Sequence, residues 1–278
     1  MRNLSRRHFL AASGIGLAAA LHAEPLGISL GCQTFPVRQT IGTDLNGTLK
    51  QLAGMGYKRI EMCSPPGYVK YGFGPLMSMK ASELRDAIRS AGLDCESCHY
   101  QFSELKENLE ERIAYAKALG LRQMVLSTFG SMNTATLGDW SKAAETLNKI
   151  GEQTLKAGLP LGFHNHNFEF KQIDGVLVYD HLMKEFDPKY VKSQFQVDVI
   201  SMGYDAATYL NKYPGHFLSM HLQDWSPETK KDVALGKGIV DWPKVFTAAK
   251  RAGVKNYFVE LNPDLMAVSA EYLRGLKG

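Results

Sequence analysis

The chain has little of what would mark several protein classes. Four cysteines in 278 residues, Cys32, Cys63, Cys95 and Cys98, are too few and too scattered for a disulfide scaffold. No charge of one sign dominates. The formal net charge is +4, and three arginines, Arg2, Arg6 and Arg7, fall in the first 23 residues, which carry no acidic side chain; the remainder stands at about +1. That balance predicts no strong attraction to nucleic acid or to an acidic membrane. There is no low-complexity tract and no composition break that would mark a linker. Beyond the N-terminal segment no run is apolar enough to cross a bilayer. What is present, 45% apolar and 22% charged residues, fits one globular domain around one large core.

The N-terminal segment has its own pattern. Ser5-Arg6-Arg7-His8-Phe9-Leu10 followed by Ala11 to Leu21 has the order of a twin-arginine export signal. Its apolar run of about a dozen residues is well short of the roughly 20 that span a membrane. Residues 1–23 are therefore expected to be cut after Ala23, leaving residues 24–278 as a single exported, periplasmic domain with no stable membrane anchor. In that setting Cys95-Glu96-Ser97-Cys98-His99 invites comparison with the C-x-x-C-H haem-attachment pattern. A covalent haem needs an exposed loop or helix, whereas this segment, following Gly92, is patterned as a buried strand, so buried strand cysteines are expected instead.

After the leader one unit recurs: a helical pattern ending in a small or apolar residue plus Gly, then an apolar strand. The junctions are Met55-Gly56-Tyr57, Ala91-Gly92-Leu93, Leu119-Gly120-Leu121, Ala157-Gly158-Leu159 and Ala252-Gly253-Val254. Gly is the residue that closes a helix in the left-handed conformation. The repeats predict strands from Gly27 to Gln33, Arg59 to Met62, Leu93 to His99, Gln123 to Ser127, Pro160 to Asn165, Ser193 to Asp198, Phe217 to Leu222 and Asn256 to Glu260. Helical patterns follow them, as in Ser82 to Ile88, where Leu84, Ala87 and Ile88 share a face. Eight β/α units in about 250 residues predict a closed (β/α)₈ TIM barrel.

In such a barrel the C-terminal strand ends form the active face, and polar residues there carry the chemistry. The candidates are Gln33, Glu61, His99, Ser127, His164 with His166, Asp198, His221 and Glu260. The stretch Phe163 to Phe170 dominates: an apolar run after Pro160 ends in two imidazoles, two amides and a carboxylate, and strand alternation places Gly162, His164 and His166 on one face. Asp198 follows Phe195-Gln196-Val197 and Glu260 follows Tyr257-Phe258-Val259, strand ends where a buried charge needs a cation or donors. Together His164, Asp198, His221 and Glu260 form a four-ligand set for one borderline divalent ion, with Mn²⁺ expected first and Zn²⁺, Co²⁺ or Fe²⁺ admitted.

These residues carry a resemblance. From about Gly27 onward the chain resembles the sugar phosphate isomerase/epimerase group of xylose isomerase-like TIM barrels, and within it the branch with a His-Asn-His-x-Phe-Glu-Phe strand. The supporting segments are His164 to Phe170, Gln196-Val197-Asp198, Tyr213 to Phe217, His221 to Trp225, Leu235 to Gly238 with Asp241-Trp242, and Phe258-Val259-Glu260. The resemblance implies one divalent metal activating a hydroxy-ketone for proton transfer, with Asp198, His221 and Glu260 on metal positions. Most of the superfamily has Glu where this chain has His164, as inosose dehydratase-like relatives do, which leaves His164, His166 and Glu169 open as the fifth-strand ligand. Gln223 replaces a Lys found in many relatives.

The expected mechanism is removal of an α-proton from a sugar or keto-sugar through a metal-stabilised enediolate. His166, Glu61 and Glu169 are the catalytic candidates; His99, Asp224 and Trp225 are the substrate contacts, Trp225 by stacking on a sugar face. Reprotonation would give isomerisation or epimerisation; loss of a β-leaving group would make the protein a dehydratase or a lyase on 3-keto-glycosides. Export favours an unphosphorylated carbohydrate, against which Lys230, Lys231 and Lys237 stand where barrels often bind phosphate. A non-catalytic sugar-binding barrel is the rival reading. An abasic-site endonuclease is disfavoured by the neutral charge. An oligomer is compatible with the sequence but not expected from it.

Overall fold

The computed structural model describes residues 24–276, so the twin-arginine segment lies outside the described residues. Eight parallel strands close into one barrel. They are β1 Gly31–Gln33, β2 Arg59–Cys63, β3 Asp94–Gln101, β4 Gln123–Thr128, β5 Leu161–His164, β6 Val191–Gln196, β7 Phe217–Leu222 and β8 Asn256–Val259. Each pairs with its sequence neighbour, and Cys32 opposite Val259 seals the first strand to the last. The helices α1 Leu45–Gly54, α2 Ala81–Ser90, α3 Phe102–Glu107, α4 Leu109–Leu119, α5 Leu137–Lys156, α6 Val178–Glu185, α7 Ala206–Lys212, α8 Trp242–Ala252 and α9 Pro263–Gly275 surround it. No described helix is long and apolar enough to cross a membrane.

The five junction glycines do what the repeats predicted: Gly56, Gly92, Gly120, Gly158 and Gly253 all take positive φ. At Gly120 and Gly253 the residue is the helix cap itself, its N–H donating back to the last turn. Strand bounds differ at the ends. The first strand begins at Gly31 because Pro25–Gly27 forms a short turn with Leu26 and Gly27 at positive φ. Cys95 and Cys98 are buried on β3 and unpaired, in a strand that offers no exposed loop for haem attachment.

Side chains of alternating strand positions fill the lumen, and here the filling is polar. The Gln123 amide donates to Ser97 Oγ at 2.9 Å and to Ser219 Oγ at 3.3 Å, while the Gln194 amide donates to Ser219 Oγ at 2.9 Å and to Glu61 Oε1 at 2.8 Å. Where β5 crosses this level Gly162 leaves the room: a Cβ there would stand 3.2 Å from Val125 and 3.3 Å from Leu218. This hydrogen-bonded layer is the floor beneath the strand ends.

Candidate active site

Glu61 is the centre of the floor. The carboxylate is fully buried, accepts the Gln33 amide at 2.7 Å, and lies 2.5 Å from His221 Nε2 and 3.1 Å from His99 Nε2. Burial alone would raise this carboxyl, but His99 and His221 outweigh it and hold it well below the ordinary carboxylate range. His221 has a second carboxylate on its other nitrogen, Glu260 Oε2 at 2.9 Å from Nδ1. Burial would lower its pKa, yet Glu260 and Glu61 push it up to about 9. Glu260 also accepts the Gln196 amide at 2.8 Å.

Three imidazoles meet above Glu61. Donor atoms of His99, His164 and His221 all lie within 4.8 Å of one another, and all three residues are buried. His99 stacks on His221 with centroids 5.1 Å apart, and His164 approaches His221 to 4.5 Å. His99 Nε2 faces two acceptors, Gln194 Oε1 at 2.7 Å and Glu61, so that nitrogen carries the proton and a neutral ring keeps its lone pair on Nδ1. His164 is 2% exposed and its Nδ1 has no partner. Burial, followed by the neighbouring His221, His166 and His99, pushes its pKa well below the usual value. A buried, neutral imidazole with an unused nitrogen beside two more imidazoles and a carboxylate is a donor set that fits a borderline divalent cation.

The cavity over this cluster has a volume of about 590 Å³. His99, His164, His166, Asp198 and Glu260 line it, and so does Asp232, which the sequence reading did not single out. The expected alternation onto His166 does not extend that far, because β5 stops at His164. Asn165 Oδ1 accepts from Gln196 N at 3.0 Å and Glu169 Oε2 accepts from His166 N at 2.7 Å, turning the chain into the short helix Asn167–Phe170. His166 reaches the cavity from that turn, its ring stacked on Phe168 at 5.1 Å and edge-on to His164 at 4.8 Å. Its Nδ1 is unpartnered, and burial lowers its pKa to about 4. Asp198 likewise sits past its strand, in the turn Val197–Met202, and accepts from Asn167 at 3.2 Å. Burial, then Asp232 and Glu260, raise its pKa.

Other expected residues lie elsewhere. Glu61 is under the imidazoles and does not line the cavity. Glu169 is buried, with one oxygen on His166 N and the other unpartnered, and also stands outside the lining. The substrate-contact expectation for Asp224 is corrected: its oxygens accept from the backbone of Trp225, Gly236, Gly238 and Val240 and from Trp242 Nε1, so it clasps the loop after β7. Trp225 is carried away with it, into the hairpin formed by Asp224–Ser226 and Lys231–Val233, and does not line the cavity. Lys230, Lys231 and Lys237 do not line it either.

A closed parallel barrel with imidazoles and carboxylates converging at its C-terminal mouth defines a TIM-barrel protein with a site suited to a metal ion. The chain belongs to the xylose isomerase-like TIM barrel family, whose model matches residues 49–275. It is 26% identical over 222 residues to an inosose dehydratase of Geobacillus thermodenitrificans, covering 68% of this chain and 74% of that protein. Its fold matches the crystal structure of a sugar phosphate isomerase/epimerase from Parabacteroides distasonis with TM-score 0.74 and 24% identity, over 96% of this chain and 98% of the other. It also matches the IOLI protein, whose crystal structure holds a zinc atom, with TM-score 0.63 and 15% identity over 89% and 94% of the two chains.

Proposed function

We propose that the cavity binds a sugar or keto-sugar, removes the proton next to its carbonyl, and returns a proton to give an isomer or epimer. The observation that carries this reading is the buried cluster of His99, His164 and His221, of which His99 and His164 line the cavity together with His166. His164, Asp198, His221 and Glu260 would hold the divalent ion, with His99 beside them, once His221 gives up the Nδ1 proton it shares with Glu260; bound there the ion would supply positive charge against the oxygen on which negative charge develops. The rest falls to the chain itself. His166, neutral near pH 7 because burial brings it to about 4, offers its unpartnered nitrogen to the departing proton. Glu61 acts through its neighbours, fixing the rings of His99 and His221 from below. Asp232 faces the cavity as a hydrogen-bond partner for hydroxyl groups. An exported chain would meet few sugar phosphates; Lys230, Lys231 and Lys237 stand outside the lining, and the Arg38 guanidinium that is in it lies over the Phe35 ring and donates to Phe35 O, which supports an unphosphorylated substrate.

The same proton removal followed by loss of a β-leaving group gives a dehydratase or a 3-keto-glycoside lyase, a second reading supported by the likeness to inosose dehydratase. Metal-loaded protein incubated with keto-sugars and 3-keto-glycosides in D₂O and followed by NMR tests both. Deuterium entering at one carbon is the expected result, with an alkene signal or released aglycone marking elimination. Binding without exchange across the panel would overturn catalysis and leave a sugar-binding barrel.

A further inference from the structure

The cavity has two walls of opposite chemistry. One is the imidazole and carboxylate side just described. The other is aromatic: Phe35, two residues past the end of β1, and Tyr68 and Tyr71 from the loop after β2. Their rings form a mutual corner, with centroids 5.7 Å apart for Phe35 and Tyr71, 5.7 Å for Tyr68 and Tyr71, and 6.1 Å for Phe35 and Tyr68. The corner is braced on two sides, by a buried ring behind it and by Arg38, which also lines the cavity. Tyr68 packs edge-on to buried Phe73 at 5.9 Å, and the Arg38 guanidinium lies 4.4 Å over the Phe35 ring while donating to Phe35 O at 3.1 Å. Tyr68 is buried, but Tyr71 remains 49% exposed at the mouth.

A small polyol seated over the histidines does not also cover this opposite wall. Its hydroxyls are satisfied on the polar side, and the aromatic corner would stay wet. Aromatic faces instead bind flat groups with apolar surface, and a fixed cluster does so at little cost in ordering. We propose that the substrate is a glycoside whose reacting sugar ring sits over the histidines while a second flat group, an aryl aglycone or another pyranose ring, packs on Phe35, Tyr68 and Tyr71. This rests on the reading that the cavity takes a carbohydrate.

The test uses the metal-loaded full chain and three probes: methyl 3-keto-β-D-glucopyranoside, phenyl 3-keto-β-D-glucopyranoside and 3-keto-cellobiose. Affinity is measured by calorimetry, with saturation-transfer NMR to show which ligand protons touch the protein. The phenyl glycoside or the disaccharide should bind roughly five- to tenfold tighter than the methyl glycoside, in line with one aromatic contact, and the tighter of the two names the second group. Tyr71→Ala should abolish that advantage and leave methyl glycoside affinity unchanged, while Tyr71→Phe should keep it. Equal binding of all three probes, untouched by Tyr71→Ala, would overturn the second-group proposal and leave the carbohydrate reading standing. Failure of every probe to bind, the methyl glycoside included, would overturn both.

Discussion

The lumen holds two polar layers a few ångströms apart, and they are built in opposite ways. In the floor Gln33, Glu61, Ser97, Gln123, Gln194 and Ser219 bond one another, so that donors and acceptors close on themselves. In the layer above, His164 Nδ1, His166 Nδ1 and Gln196 Oε1 are buried with no partner. Buried polar groups are ordinarily satisfied, and a satisfied network stabilises and rigidifies. The floor is thus a structural device made from residue types that elsewhere mark active sites. The upper layer keeps unused valence, which is what a site for an ion and a reacting ligand needs.

Substitutions can break that division, beginning with the largest effect. His166→Ala should slow α-proton exchange roughly 10²–10⁴-fold, the usual worth of a positioned base, with the carbohydrate still bound; an unchanged exchange rate would remove His166 from the chemistry. Glu61→Leu attacks the floor. It leaves His221, His99, Gln33 and Gln194 without their shared acceptor and should cost about 3–5 kcal/mol of unfolding free energy, as breaking a buried pair does. Urea denaturation of metal-free protein reads this, and a midpoint near that of the wild type would show that the floor does not depend on its anion. Asp224→Ala should cost less, about 1–3 kcal/mol for donors left unpaired, and should leave the affinity for a methyl glycoside unchanged. A selective loss of that affinity with stability kept would return Asp224 to the substrate.

Much of the barrel was legible because its signals are local. A helix must end, and the five glycines with positive φ mark where. Strand-end polar residues pointed to the mouth, and His99, His164, Asp198, His221 and Glu260 do gather in or beside one cavity. What was missed depends on longer-range closure. Strand alternation could not foresee that Asn165 and Glu169 bend the chain after His164, since both act by capping backbone groups. Nor could it show that Asp224 would be consumed by N–H groups from residues 236–242, in a loop closed over sixteen positions. Gln194, Gln196 and Asp198 repeat at every second residue from β6 into its turn, a period-2 signal of a polar inward face from which only Asp198 was drawn as a site candidate. Phe35, Tyr68 and Tyr71 had no such period, because loop aromatics carry none.

The smallest effect concerns the edge between the layers, where Glu169 holds the turn that presents His166. Burial raises its pKa to about 8 from an ordinary 4.5. The folded chain therefore keeps a proton that the unfolded chain has lost, and this contribution to stability is complete below pH 4.5 and disappears as pH rises through 8. His166 works in the other direction. Its pKa, lowered to about 4, makes its contribution complete above pH 6.5 and lost as pH falls through 4. Between pH 6.5 and 8 only the Glu169 loss remains of the two. Glu169→Gln keeps an acceptor for His166 N without the titration, so urea midpoints of metal-free variant and wild type should diverge across that interval, the variant gaining roughly 1–2 kcal/mol relative to wild type. Parallel pH profiles would mean that Glu169 is ionised in the fold, and the turn carrying His166 would then belong electrostatically with the satisfied floor rather than with the open layer above it.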